Sequence, residues 1–417
     1  MGVIIRLKER LTPVTMVAIV TAISLLGDSM LYIVLPVYWR QIGLDSLWQV
    51  GILLSINRFV RLPLNPILGW LYHKMSLRTG LLVAIVLGTL TTIGYGVFKG
   101  FIIWLILRII WGIAWSLLRI GGYFAVINYS DDTNRGYVMG KFNGVSRLGS
   151  LVGMLAGGIL VPIIGLPTVA IVFGCICAIG IPIIMLFVSK QTTNETSVSP
   201  SFKQVSVYLK SAPVLKIIIG GLLISLLYAT MSATLSLVIE THYASDISVF
   251  GIILGSTALA GAIQAARWLW EPFLAVWIGR MSDGPKGRTP LLFASLMIAA
   301  ICFALIPWSL PIYIWILIVL FALVTGTAVT TLMDAVASDI GKSSMVIAIM
   351  TAYSVATDLG AALGPMISFW VLEATGGIVP VYSISAILFV VTALWLRTLK
   401  EMRPTFQKTT SESVESV

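Results

Sequence analysis

Twelve runs of mainly apolar residues follow one another along this chain, each near or above the roughly 20 residues that a helix needs to cross a bilayer. They fall at about 12–38, 47–72, 79–98, 101–127, 137–164 and 167–188, then at about 213–240, 248–279, 289–308, 311–337, 345–372 and 378–398. The hydrocarbon core offers no water to an open backbone, so runs of this kind fold as helices. The expected class is an all-α integral membrane protein. Charged residues make up 11% of the 417 positions, against about 25% in a soluble domain. The net charge of +10 does not mark a nucleic-acid binder, because the basic residues are scattered between the runs and form no patch. Cys175, Cys177 and Cys302 all lie inside apolar runs, and His73 and His242 are far apart. No disulfide framework, metal site or cofactor is therefore expected.

The polar, Ser/Thr-rich stretch "SKQTTNETSVSPSFKQVS" separates two sets of six runs. It divides the chain into an N-terminal bundle (1–188), a linker (189–212), a C-terminal bundle (213–400) and a disordered tail (401–417). Lysines and arginines collect in the N-terminal flank, in the segments after even-numbered runs and in the tail, whereas the opposite loops hold only Arg40 and Lys99. The positive-inside rule places both termini in the cytosol, with the plasma membrane as the expected location.

The two sets repeat one pattern. "RLGSLVG" (147–153) matches "DLGAALG" (358–364) at an offset of 211 residues, and "GWLYHKMSLRTG" (69–80) matches "GRMSDGPKGRTP" (279–290) at 210. Two anchors at one spacing indicate a duplication of six helices.

With these motifs in place, the whole chain resembles the major facilitator superfamily of secondary transporters. The family's loop between helices two and three reads G-x-x-x-D-R/K-x-G-R-R/K. The first copy here offers Gly69, Lys74 and Arg78 with His73 in place of the acid, and the second keeps Gly279, Asp283, Gly287 and Arg288. "LRIIWG", with Arg108 and Gly112, resembles an R-x-x-x-G element of helix four. "GMLAGG" (153–158) resembles a G-P-x-x-G-G pattern of proton-coupled exporters, with Met154 for the proline, while run eleven reads Gly364-Pro365. "LGDSMLYIVLPVYW" is similar to the 12-helix drug/proton antiporter branch. The resemblance implies two pseudo-symmetric six-helix bundles, with the loops as a gating latch in the outward-facing state.

Ionisable residues inside the runs are Asp28, Arg58, Arg61, Arg108, Arg119 and Arg147 in the first half, and Arg267, Glu271, Asp334 and Asp358 in the second. Each costs about 2.5–3.5 kcal/mol at a helix centre, so they must face one another or a watery cavity. At 1.5 Å of rise per residue, Asp28 and Arg108 both lie roughly 12–15 Å from one surface and can pair. Arg58 and Arg61 share a helix face, and Arg267 and Glu271 form an i, i+4 pair. Glu271 aligns with Arg61 across the repeat, and Arg267 aligns with Asn57. Arg147 and Asp358 are equivalent positions of opposite sign. In the family fold, helix five packs on helix eight and helix two on helix eleven. The resemblance thus implies that Arg147 meets Glu271 and that Asp358 meets Arg58 or Arg61. The alternative is that each charge is satisfied within its own bundle.

These features point to a proton-coupled exporter of small amphiphilic molecules working by alternating access, with Asp28, Glu271 and Asp358 carrying protons. The expected substrate contacts are Asp28, Tyr32, Arg58, Arg61, Arg108, Trp115, Arg119, Arg147 and Arg267. Tyr38, Trp39, Trp111, Tyr123, Trp268, Trp270 and Tyr353 are further aromatic candidates for the cavity wall. A second reading keeps the fold and changes the cargo to an organic anion, a metallophore or a lipid head group gripped by the arginines. Catalytic motifs such as H-E-x-x-H, G-x-S-x-G or a nucleotide loop are not found, so an enzyme is not expected. The expected partners are a small molecule, protons and membrane lipid, with no nucleic acid, and the chain is expected to be a monomer.

Overall fold

The computed structural model describes residues 2–130, 134–190, 211–243, 247–249, 251–282, 287–340 and 346–398, with side chains from Pro13 onward except at 73, 249, 252, 340 and 346–348. Thirteen α-helices account for nearly all of it. They are α1 (Gly2–Tyr38), α2 (Leu47–Lys74), α3 (Leu77–Val97), α4 (Phe101–Tyr129), α5 (Arg135–Ile164), α6 (Leu166–Ala178) and α7 (Gly180–Phe187) in the first half. The second half holds α8 (Ala212–His242), α9 (Ser256–Ser282), α10 (Thr289–Leu305), α11 (Ile312–Ile340), α12 (Val346–Thr375) and α13 (Ile378–Leu396). Helices α6 and α7 form one membrane span of 22 residues. Pro182 has no N–H to donate to the carbonyl of Ala178, which accounts for the break between them.

The eighth apolar run differs from its sequence reading. Its first residues form a two-stranded antiparallel hairpin, β1 (Ile247–Val249) and β2 (Ile252–Leu254), and the helix starts only at Ser256. Gly251, at φ +79°, supplies the left-handed turn residue, and the β-branched residues on either side favour strand. Most of the linker, the tail and Asp283 lie outside the described residues.

Nine of the described spans are long and apolar enough to cross a membrane by length and composition. Helix α10 is apolar but shorter. Helices α2 and α9 are less apolar because they carry Arg58 and Arg61, and Arg267, Glu271 and Arg280. These two helices are equivalents in the repeat, and both face the partner bundle.

The duplication is visible in backbone approaches. A Cβ added at Gly149 would stand 2.0 Å from the Ala22 carbonyl oxygen, and one at Gly360 would stand 2.1 Å from that of Leu222. Gly153 against Leu26 and Gly364 against Leu226 repeat the arrangement at 2.6 Å in both halves. Helix α5 thus lies in van der Waals contact with α1, and α12 with α8, as small residues permit where no hydrophobic driving force separates helix from lipid.

Between bundles, α2 packs on α12 and α5 on α9. At the end away from the 69–80 and 279–290 loops these seams are closed. A Cβ at Gly51 would meet the Pro365 carbonyl at 2.8 Å, and one at Gly261 the Met154 carbonyl at 2.5 Å. Thr257 donates to the Gly158 carbonyl at 2.9 Å, and Glu373 accepts from the Trp48 amide at 2.9 Å. Toward the motif loops the bundles part: added Cβ atoms at Gly69, Gly140, Gly144 and Gly279 would meet nothing within 4 Å.

Candidate functional site

Where the seams part, a cavity of about 440 Å³ opens, lined mainly by the first bundle. At its deep end Asp28 Oδ1 accepts from Arg108 Nη1 in direct contact and from Asn57 Nδ2 at 3.3 Å. Arg108 is fully buried, and its Nε donates to the Leu53 carbonyl at 2.7 Å. A buried guanidinium needs both a counter-charge and hydrogen-bond acceptors, and α1 and α2 supply them. The R-x-x-x-G element then has a geometric explanation. Arg108 and Gly112 are one turn apart on α4, and they meet Leu53 and Asn57, one turn apart on α2. A Cβ at Gly112 would stand 2.7 Å from the Asn57 carbonyl.

Next to this pair, Arg58 Nε donates to the Tyr32 hydroxyl at 3.3 Å, and that hydroxyl donates to the Leu54 carbonyl at 3.3 Å. Arg58 lines the cavity and has no carboxylate partner among the described residues. Asp28 and Asp358 act on it electrostatically without forming an ion pair with it.

Two further clusters join the bundles at the points where they separate. Arg147 Nη1 lies 2.8 Å from Glu271 Oε1, and Arg267 Nε lies 3.2 Å from Glu271 Oε2. Both guanidiniums also sit over the Trp268 ring, at 5.4 and 5.5 Å. Across the seam, Asp358 takes Arg61 Nη2 at 4.0 Å and Arg119 Nη1 at 3.5 Å, and Arg119 also donates to the Tyr123 hydroxyl at 3.1 Å. The repeat maps Arg147–Glu271 onto Asp358–Arg61, so the pseudo-two-fold carries one ion pair onto the other with both signs reversed. Each carboxylate faces two guanidiniums.

Asp28, Tyr32, Arg58, Arg61, Trp115, Arg119, Arg147 and Asp358 all line the cavity, as do Tyr123 and Trp268. Arg108, Arg267 and Glu271 reach it through these neighbours. Tyr38, Trp39, Trp111, Trp270 and Tyr353 do not line it: they belong to the apolar core clusters or pack against them. Sequence reasoning did not single out Asn143, Ser146 and Ser150 on α5 as wall residues. Their signal was present, since with Arg147 they recur at helical spacing in an otherwise apolar run. Asp334 is paired with the Tyr353 hydroxyl, nearer the motif-loop end. Of the gating-loop residues, Lys74 sits 4.0 Å from the Trp70 ring centroid and Arg288 bonds Asp339 at 2.9 Å. Arg78 is half-buried in the first turn of α3. Added Cβ atoms at Gly69 and Gly279 would meet no described residue within 4 Å.

Residues 17–354 match the family model of the Major Facilitator Superfamily, and the chain belongs to that family of membrane transporters. None of the curated proteins matches the sequence. Among solved structures, the chain is similar to a bacterial homologue of the human lysosomal transporter Spinster in an inward-facing, unoccupied conformation. The TM-score is 0.71 at 13% identity, over 93% of this chain and 95% of that one. It is also similar to a POT family transporter in complex with 5-aminolevulinic acid, with a TM-score of 0.73 at 14% identity, over 92% and 94% of the two chains. A peptide transporter POT in complex with alafosfalin gives a TM-score of 0.75 at 13% identity, over 93% of both chains. At these identities the likeness concerns the fold.

Proposed function

We propose that the protein is a proton-coupled secondary transporter that exports small amphiphilic molecules bearing an acidic group. One observation carries this reading: Arg58, in the cavity, has no carboxylate partner among the described residues. A planar guanidinium suits a carboxylate or phosphate, while Trp115, Tyr123, Phe142 and Trp268 offer an apolar and aromatic wall to the rest of the molecule. Asp28 carries the proton, because its ion pair with Arg108 breaks when the carboxylate is protonated. Residues 1–188 and 213–400 rock as two units about the Arg147–Glu271 and Arg61–Asp358 contacts. The positive-inside distribution supports an open mouth on the cytosolic side of the plasma membrane.

The test is thermal stabilisation of purified protein by dansylglycine, an aromatic carboxylate, against tetraphenylphosphonium, a lipophilic cation. Dansylglycine is expected to stabilise the wild type and to lose most of its effect in Arg58→Gln. Stabilisation by the cation alone, lost in Asp28→Asn, overturns the acidic-substrate reading in favour of a cation exporter.

A further inference from the structure

A second pocket, of about 330 Å³, opens at the end of the first bundle away from the motif loops. Its walls include Gln41, Phe98, Lys99 and Pro167, and Tyr95 contributes to its lining. None of these residues takes part in the substrate cavity. Tyr95 is buried, its ring tilted against Trp104 at 4.9 Å, and Trp104 is fixed in turn by donating to the Phe98 carbonyl at 2.9 Å. The Tyr95 hydroxyl and the Arg108 guanidinium are electrostatic neighbours. Their mutual contact is a loose one: neither the hydroxyl nor Arg108 Nη2 has a close hydrogen-bond partner among the described residues. Unpaired polar atoms in such a place are costly, and a bridging water is the usual remedy. The neighbouring pocket is large enough for several waters, each of which occupies about 30 Å³ in the liquid.

We propose that this pocket is a water-filled entrance through which protons reach Asp28 from the side opposite the open cavity, relayed by Tyr95 and gated by Arg108. The inference rests on Asp28 being the proton carrier, as argued above, and adds a route separate from that of the substrate. In the relay, a hydronium in the pocket gives a proton to the Tyr95 hydroxyl oxygen as that hydroxyl gives its own proton to the Asp28 carboxylate, so the tyrosine ends unchanged and the hydronium is left as water. The charged and titratable groups that face Asp28 are Arg108, Arg58, Tyr32 and Tyr95. In the state seen here Arg108 grips Asp28, and its positive charge bars an excess proton. The entrance conducts only once Arg108 lets go, which prevents a leak between the two sides.

The experiment follows the protonation of Asp28 by time-resolved infrared spectroscopy after a pH jump, with the protein in lipid nanodiscs. The band of interest is the carboxyl signal that disappears in Asp28→Asn or, if that variant folds poorly, in the double variant Asp28→Asn/Arg108→Gln. Tyr95→Phe keeps the ring and removes the relay, and is expected to slow the appearance of this band about tenfold, the weight of one hydrogen-bonded link. Its affinity for dansylglycine at fixed pH is expected to stay within about twofold of wild type. A bulky thiol reagent on Gln41→Cys, in a background without the native cysteines, is expected to slow the band in the same way. A wild-type rate in either Tyr95→Phe or the labelled protein overturns the entrance and leaves Asp28 as the carrier. If no carboxyl band is lost with Asp28, the carrier assignment fails, and the entrance with it.

Discussion

The two halves share a frame and differ at its centre. Gly149 and Gly153 admit the Ala22 and Leu26 carbonyls as Gly360 and Gly364 admit those of Leu222 and Leu226, so Asp28 on α1 and Tyr228 on α8 occupy equivalent places. Asp28 sits in the cavity wall, held by a buried arginine. Tyr228 instead packs edge-on against Phe303 and Phe389, at 5.8 and 5.4 Å, with its hydroxyl 3.1 Å from Thr325. The equivalent of Arg108 is the fully buried Val319. A duplicated scaffold has kept its helix crossings and placed the buried acid–arginine pair in one half only. The second half is apolar at this place and contributes its charges, Glu271 and Asp358, at the seams.

The sharpest way to break this comparison is to remove one member of the charged pair. Asp28→Asn strands the Arg108 guanidinium, and Arg108→Gln strands the carboxylate. Each is expected to lower stability by about 3–5 kcal/mol, the usual cost of leaving one partner of a buried pair alone. The double variant is expected to recover much of the loss, because no charge is then left unpaired. Thermal melts in detergent check this, and strictly additive losses would mean that the two side chains do not depend on each other.

The glycine crossings come next. Gly149→Val and Gly360→Val both drive a side chain into a backbone carbonyl, which cannot swing aside, and each is expected to cost about 3 kcal/mol. Gly279→Val, facing open space, is expected to cost less than about 0.5 kcal/mol. If Gly149→Val folds as well as Gly279→Val, the close packing of α1 on α5 is wrong.

On the quiet side of the comparison, Tyr228→Phe keeps every ring contact and loses one hydrogen bond. It is expected to cost about 1 kcal/mol and to leave transport unchanged. A transport defect at Tyr228 would show that the second half also contributes chemistry at this position.

Much of this was legible in the sequence because membrane insertion is unforgiving. Length and hydropathy place the spans, and the offset between "RLGSLVG" and "DLGAALG" ties the halves together. Charges were legible for the same reason, since an arginine such as Arg61 in an apolar run must have a partner. What escaped was anything decided by uncharged groups. Asn57 bridges Asp28 to α2 with an amide that costs too little in a sequence to attract notice. The hairpin at 247–254 is as apolar as a helix and differs only in the turn at Gly251. Which aromatic rings face the cavity depends on helix rotation, so Trp115 and Trp111, only one turn apart, end respectively in the cavity wall and in the core.

The smallest effect tests the sign-reversed symmetry itself. Arg147 is 52% exposed and Glu271 14%, whereas Arg61 and Asp358 are 9% and 25% exposed. Solvent therefore screens the first contact more, but its distance of 2.8 Å is much shorter than the 4.0 Å of the second. A double-mutant cycle with Arg147→Gln and Glu271→Gln is expected to give a coupling of about 0.5–1 kcal/mol, the range of partly exposed pairs. The cycle with Arg61→Gln and Asp358→Asn is expected to give less, because that contact is 4.0 Å long and each carboxylate keeps a second guanidinium in either cycle. Exchanging the charges at one contact, as in Arg147→Glu with Glu271→Arg, makes both seams read alike. That exchange leaves Arg267 facing a new arginine one turn away and so costs more than the geometry of the pair alone implies. Equal couplings at the two seams would mean that distance and the shared arginines are irrelevant, and that the pseudo-two-fold governs energy as well as shape.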